Sequence, residues 1–437
     1  MTGINNHRGD FMVYNILDYG AKADGVTLST KAIQAAIDDC HKNGGGRVLV
    51  PTGSFYSGSI FMRDNVELHL ECGALLTASA NMDDYNAEDA YPQNYGFPPE
   101  EWVGKHFIMA VECNHVAITG LGTINGNGDS FREAPTPPTE KDYVWFSGRS
   151  YVKDKKLLRP GQLICFIEST EVYVQGITIR NAPCWCLFVH GCEQVRIHGI
   201  QIFNAPAAMN TDGIDIDCSR FVTISDCNIN TGDDAITFRC AENRLKTPRP
   251  CEFVTVTNCN LASSTSVFRI GVGSGRIRHI RVSNITIERG SKAVHLITSY
   301  LGKGAAKIED VNFSGISVKN VSSPIMLEGD RSFMKNITIE NFRAECIAST
   351  AIKPAEECDI SNILFKDIEI YVKRENRELT EIRRAARGEH MLYVGTARDV
   401  TLDNVRVFAE DSVVPLWTSR FHSEKTDGLT IRNCNFD

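Results

Sequence analysis

The residues of this chain best suited to chemistry are three aspartates: Asp212, and Asp233 with Asp234 one repeat further on. Two segments align around them, Asp212-Gly-Ile-Asp-Ile-Asp-Cys218 and Asp234-Ala-Ile-Thr-Phe-Arg-Cys240. The alignment matches Ile214 with Ile236, Ile216 with Phe238 and Cys218 with Cys240. If those apolar positions face a core, the alternate ones face outward, because successive side chains leave opposite faces of a strand. The next segment aligns as Ser266-Val-Phe-Arg-Ile-Gly-Val272, and the preceding one begins at Trp185. One outward column then reads Trp185, Asp212, Asp234, Ser266, and a second reads Phe188, Asp215, Thr237, Arg269, His295. Stacked strands lie ~4.8 Å apart. Asp212 and Asp234 therefore become vertical neighbours on one exposed face, with Asp233 beside them. Carboxylates that close repel, which pushes at least one pKa up and leaves an acid beside groups that stay ionised. Inverting glycoside hydrolysis needs that pairing, an acid for the leaving oxygen and a base for water, with carboxyls ~6.5–9.5 Å apart. Asp215 and Asp217 read equally well as solvated turn aspartates.

The elements that must hold these residues come from an internal repeat. An eight-residue pattern recurs: apolar, any, apolar, polar, Gly/Asn/Asp, apolar, any, usually apolar. Copies start at Val172, Val195, Val222, Val254, Ile280, Val311, Ile337, Ile363, Val400 and Leu429, with a variant at Val116. Period-two alternation means strands, and the small polar residue mid-copy is a bend between two of them. Successive starts lie 23 to 37 residues apart, room for about three short strands plus inserted loops. That describes an all-β parallel β-helix, a solenoid of roughly a dozen rungs around one apolar stack. Residues 13–50 form its N-terminal cap region. Within it Ile33, Ala36, Ile37 and Cys40 fall at helical spacing after Ser29 or Thr30 as N-cap, with Gly44 to Gly46 as the stop. Such a helix would cover the open end of the solenoid and its strand edges. Two stretches break the repeat. Residues 129–160 carry Pro135, Pro137, Pro138 and Pro160 with Tyr143, Trp145, Phe146 and Tyr151, an aromatic wall suited to a sugar. Residues 372–390 are charged and Arg-rich.

Composition narrows the function classes. The 437 residues carry 46 basic and 54 acidic side chains, a net charge of −8, with 42% hydrophobic and 23% charged residues. Disorder is excluded, and an acidic chain without a basic block is a poor partner for nucleic acid or anionic membrane. No run of ~18 apolar residues exists to span a bilayer. Fifteen cysteines, an odd number without framework spacing, read as reduced thiols. Together with a polar amino terminus, Met1 to Asp10, this gives an expected cytoplasmic location, or a secreted one if a leader is missing. The Asn-x-Ser/Thr matches at Asn284, Asn312, Asn320 and Asn336 fall in repeat strands and read as chance.

Asn210-Thr-Asp212 followed by Gly232-Asp-Asp234 resembles the signature of the pectin-cleaving polygalacturonases, glycoside hydrolase family 28. Asp18-Tyr-Gly-Ala-Lys-Ala-Asp-Gly25, the capping helix, Gly44-Gly-Gly-Arg-Val-Leu-Val-Pro51 and Asn181-Ala-Pro-Cys-Trp185 extend the likeness over nearly the whole chain. The resemblance implies a right-handed β-helix and inverting hydrolysis without metal or cofactor. It makes Asp233 the general acid, with Asp212 and Asp234 holding and activating the attacking water. Asn210, Trp185, Arg239, Arg269 and His295 become the expected substrate-binding residues. Two departures stand out. Where polygalacturonases carry Gly-His-Gly, this chain has Thr265-Ser-Val267, and where they carry Arg-Ile-Lys it has His295-Leu-Ile297. A site built for a uronate carboxylate needs a charged partner, so the missing Lys argues against ordinary homogalacturonan unless Arg269, or secondarily Arg239, supplies the charge.

Two other classes compete. A β-helix lyase would bind Ca²⁺ through Asp212, Asp215 and Asp217 and use Arg269 as base, which leaves the Asp233-Asp234 pair without a role. A non-catalytic, sugar-binding β-helix would not need Asp233. The reading adopted is one β-helix domain over residues 1–437 that hydrolyses a pectin-related or other plant oligo- or polysaccharide, rhamnogalacturonan among the candidates. The sequence leaves the sugar, endo or exo action and oligomeric state open.

Overall fold

A computed structural model describes residues 12–86, 91, 94, 100–135, 153, 158–300, 304–373, 388–424 and 426–436. Its strand pairings are parallel, and nearly all strands join one continuous sheet that winds as a right-handed β-helix. The repeat supplies the winding. Val172, Val195, Val222, Val254, Ile280 and Val311 pair directly, each with the next, and form one of the buried columns of the core. Each side chain so buried contributes about 1.5–3 kcal/mol of burial free energy, which fixes the vertical register.

The fifth position of each copy makes the bend. Gly176, Gly199, Asp226, Asn258 and Asn284 have φ of 75°, 61°, 60°, 57° and 53°. That left-handed conformation is open to glycine and tolerated by Asn and Asp, and it is costly for other L-residues. The restriction of this position to three residue types is therefore a backbone requirement.

The helix α1 (Thr30–Lys42) starts at one of the two expected caps, ends before the glycines and buries Ile33, Ala36, Ile37 and Cys40. Ser29 occupies the N-cap position, but its hydroxyl accepts the Lys22 N–H at 3.1 Å instead of capping the helix. Among the described residues no helix is long and apolar enough to cross a membrane. All fifteen cysteines are free thiols, thirteen of them buried. Tyr143, Trp145, Phe146 and Tyr151 lie outside the described residues, as does most of the charged 372–390 stretch. The described end of the 129–160 insertion, Arg159–Pro160, pairs in parallel with Trp102–Val103 beside the carboxylates.

Candidate active site

Five strands carry the site: β1 (Leu187–His190), β2 (Ile214–Asp217), β3 (Ile236–Cys240), β4 (Ser266–Gly273) and β5 (Arg276–Ile297). Their register runs Phe188, Asp215, Thr237, Arg269, His295, the second column expected from sequence. The first column follows from the backbone ladder. Cys186 N–H donates to Asp212 O at 2.8 Å, Gly213 N–H to Asp234 O at 2.9 Å and Ala235 N–H to Ser266 O at 3.1 Å.

The face is not exposed, contrary to expectation. Asp212, Asp215, Asp217 and Asp234 are all buried. Trp185, Asn210, Arg239, Arg269, Val272, Glu100 and Tyr300 line a narrow cleft with Asp212, Asp234 and the half-buried Asp233. Nor are Asp215 and Asp217 solvated turn residues. They sit on β2, where Asp215 Oδ1 lies 3.5 Å from Arg239 Nη1 and Asp217 Oδ2 lies 3.6 Å from Arg239 Nε and 3.5 Å from His190 Nδ1. Arg239 is thereby pinned, and its guanidinium stacks 4.2 Å above the Trp185 ring.

The three aspartates converge, one oxygen of each lying within 4.8 Å of the others. These nearest oxygens lie closer than the separation expected for inversion. Asp233 is aimed by its turn. The Thr231 and Ser263 hydroxyls donate to its carbonyl at 2.6 and 2.7 Å. Gly232 is required before it, since a Cβ there would meet Ala208 O at 2.1 Å. The Asp233 carboxyl takes the Asn210 N–H on Oδ2 at 3.1 Å and the Asp234 N–H on Oδ1 at 3.0 Å. Burial first, and then the charge of Asp234, push its pKa up to about 6. Asp234 goes the other way. Burial opposes its ionisation, but both nitrogens of an Arg269 fork, the Thr265 hydroxyl at 2.6 Å and the Ser266 N–H at 2.9 Å outweigh it and hold it below the usual range. Asp212 has a buried Oδ1 without a hydrogen-bond partner, and burial together with Asp233 raises it well above the usual value.

The remaining candidates are placed as follows. Arg269, engaged with Asp234, also lies 5.3 Å from the Tyr300 ring centroid. Asn210 points its side chain away, Oδ1 accepting from Arg159 Nη2 at 2.8 Å. His295 does not line the cleft. It is buried behind it, with Nδ1 at 3.1 Å from Ser266 Oγ and Nε2 at 2.9 Å from Glu328 Oε2. Burial pushes His295 down to about 4, so the neutral ring donates from Nε2 to Glu328 and accepts from Ser266. Sequence reasoning missed Glu100, Tyr300 and Arg159. Arg159, from the insertion, donates to the carbonyls of Pro183, Met209 and Glu100 at 2.7, 3.0 and 2.6 Å, tying three loops of the cleft wall together. An arginine beside a proline-rich insertion was the one signal available for it.

The profile of Glycosyl hydrolases family 28 matches residues 40–377. The chain is 26% identical over 327 residues to a probable polygalacturonase of Vitis vinifera, covering 72% of this chain and 62% of that protein, less than two thirds of its length. It is 26% identical over 374 residues to exopolygalacturonase B of Aspergillus niger, covering 79% and 74%. The structure of the Yersinia enterocolitica family 28 exopolygalacturonase superposes with a TM-score of 0.68 at 20% identity, over 98% of this chain and 79% of that one, a likeness of fold.

Proposed function

The chain belongs to glycosyl hydrolases family 28, and from that premise we propose that it hydrolyses a glycosidic bond of a pectin-related plant saccharide with inversion of configuration. The observation that carries the reading is the division of labour among three clustered carboxyls, one held ionised and two pushed up. Asp233 donates the proton to the leaving oxygen. Asp234, its oxygens engaged by Arg269, Thr265 and Ser266, is the negative charge of the site. Asp212, whose buried Oδ1 has no partner in the fold, holds the attacking water, and the water's proton goes to Asp234, the carboxyl held ionised. The lyase reading loses support, because Asp215 and Asp217 face Arg239 and not Asp212, and Arg269 is ion-paired and unfit as a base. The fold alone supports neither catalysis nor mere binding.

Homogalacturonan is the poorer substrate in this reading. Ile297 stands where polygalacturonases place a Lys, and among the described residues the two cations lining the cleft, Arg239 and Arg269, already have carboxylate partners. Glu100 adds a further negative charge. A uronate lacking its partner there loses on the order of 2–5 kcal/mol, or about 30- to several-thousand-fold in rate. Short fragments in a reducing, cytoplasmic setting fit the free thiols. The compact carboxylates favour one second reading, a double displacement with retention, for which separations of ~5 Å are usual. Purified protein assayed on defined galacturonan, rhamnogalacturonan and fructan oligomers, with the first product's anomer followed by NMR, tests both. Expected are faster cleavage of neutral or mixed oligomers and an inverted product. Efficient oligogalacturonate hydrolysis would overturn the specificity, and a retained anomer the mechanism.

A further inference from the structure

We propose that Thr265 is a positioning residue whose hydroxyl keeps the site's proton on Asp233, by giving its own hydrogen to Asp234 and accepting that of Asp233. The inference rests on the hydrolase reading for its consequence, though not for its geometry. Thr265 Oγ1 lies 2.7 Å from Asp233 Oδ1 and 2.6 Å from Asp234 Oδ1, two carboxyl oxygens at full hydrogen-bond contact with a single hydroxyl. A threonine hydroxyl has one hydrogen to give. If both carboxyls were ionised, one of the two contacts would press lone pair against lone pair. One of the two acids must therefore carry a proton that points at Oγ1.

The neighbours decide which acid it is. Asp234 receives the Arg269 fork and the Ser266 N–H, all donors, and these leave it no reason to hold a proton. Asp233 receives the Asn210 N–H on Oδ2, which leaves that oxygen as the carbonyl. Its Oδ1 can accept the Asp234 N–H and still donate to Thr265. The charged and titratable groups facing the pair from every side give the same answer. Asp215 from β2 and Asp212 just before that strand are themselves pushed up by burial and offer Asp233 no cation, Glu100 is a further carboxyl across the cleft, and Tyr300 is neutral. The Arg269 charge is spent on Asp234, Arg239 is spent on Asp215 and Asp217, and His295 behind Ser266 is neutral. The order Asp233–OH to Thr265 to Asp234 is the arrangement in which every contact is a hydrogen bond. Thr265 stands in the stretch where this chain departs from Gly-His-Gly, and a glycine there would have no hydroxyl for the purpose.

The test follows aspartate carboxyl ¹³C resonances through a pH titration of the full-length protein, with Asp233 assigned by the signal lost in Asp233→Asn and Asp234 by that lost in Asp234→Asn. In Thr265→Val, nearly isosteric, the Asp233 midpoint should fall and the Asp234 midpoint rise, each by about one unit, the scale of one hydrogen bond to a charged group. Thr265→Ser should restore both. An unmoved Asp233, or one that moves upward because Thr265 had been donating to it, overturns the proposal. Thr265→Ala replaces the valine variant if the latter fails to fold. The activity arm uses the best oligomer from the substrate screen. The alkaline limb of kcat/KM should shift downward in Thr265→Val, with roughly a 10-fold loss of kcat at neutral pH, and recover in Thr265→Ser. A uniform loss without a shifted limb counts against it. Absence of hydrolysis on every oligomer would sink the hydrolase reading while the titration still decides the role of Thr265.

Discussion

Asp233 is costly to the fold at neutral pH. Its pKa is raised to about 6 in the folded chain against an ordinary carboxyl value of 3.8. The folded state therefore holds a proton that the unfolded state has released, and stability falls as pH rises from about 4 to about 6. Asp233→Asn removes that penalty, on the order of 3 kcal/mol. The variant should melt higher than wild type at pH 7 and alike at pH 4, while turnover drops by ~10²–10⁴ because an amide cannot supply the acid's proton. Calorimetry at the two pH values alongside a rate assay separates the effects. A variant that keeps near-normal turnover removes Asp233 from the mechanism, and one that melts lower at pH 7 removes the buried-proton account.

At the scale of the strand and its bend, the fifth repeat position sets the shape of each coil. Asn258 has φ of 57°, its amide donates to Asp226 at 3.4 Å, and its oxygen accepts the Asn284 amide at 2.8 Å. Asn258→Val places a β-branched side chain in the left-handed region and breaks that ladder, so a loss of about 1–2 kcal/mol is expected in denaturant melts; Asn258→Gly should cost less. This level of structure was legible beforehand, since strand alternation and a residue restricted to Gly, Asn or Asp both follow from local stereochemistry. The same alternation placed Asp212 over Asp234 and Arg269 beside His295. It could not show that the face is roofed, because Glu100, Tyr300 and Arg159 arrive from loops that have no period. Nor could it show that Arg269 grips Asp234 and that His295 turns to Ser266 and Glu328, since spacing fixes which face a side chain leaves and not which partner it finds. The 4.8 Å convergence was missed for a related reason: the wider separation was taken from the reaction, whereas the side-chain conformations that bring the oxygens together leave no mark in the spacing.

For the molecule as a whole, burial of the cysteines is a measurable prediction. Of the fifteen thiols, Cys72 is exposed, Cys434 is partly exposed and thirteen are buried. Burial pushes Cys186, Cys192 and Cys346 up to about 12, which suppresses the reactive thiolate. A disulfide-exchange reagent should therefore label about two thiols rapidly in the native protein and the remainder only on unfolding. Fast labelling of many more would mean that the coils open readily.

The winding also has a mechanical consequence. The strands of each coil pair only with those of the coil before and the coil after it, and among the described residues the longer-range ties, such as the Lys246–Glu112 ion pair, are isolated side-chain contacts, so little makes the whole resist a pull as one body. Stretched between its ends, such a thread should give way a loop at a time from either extremity. Each release would lengthen the tether by the contour of 23 to 37 residues, roughly 80–130 Å. The carboxylates, wound near the middle of the spool, would be among the last parts to feel the load.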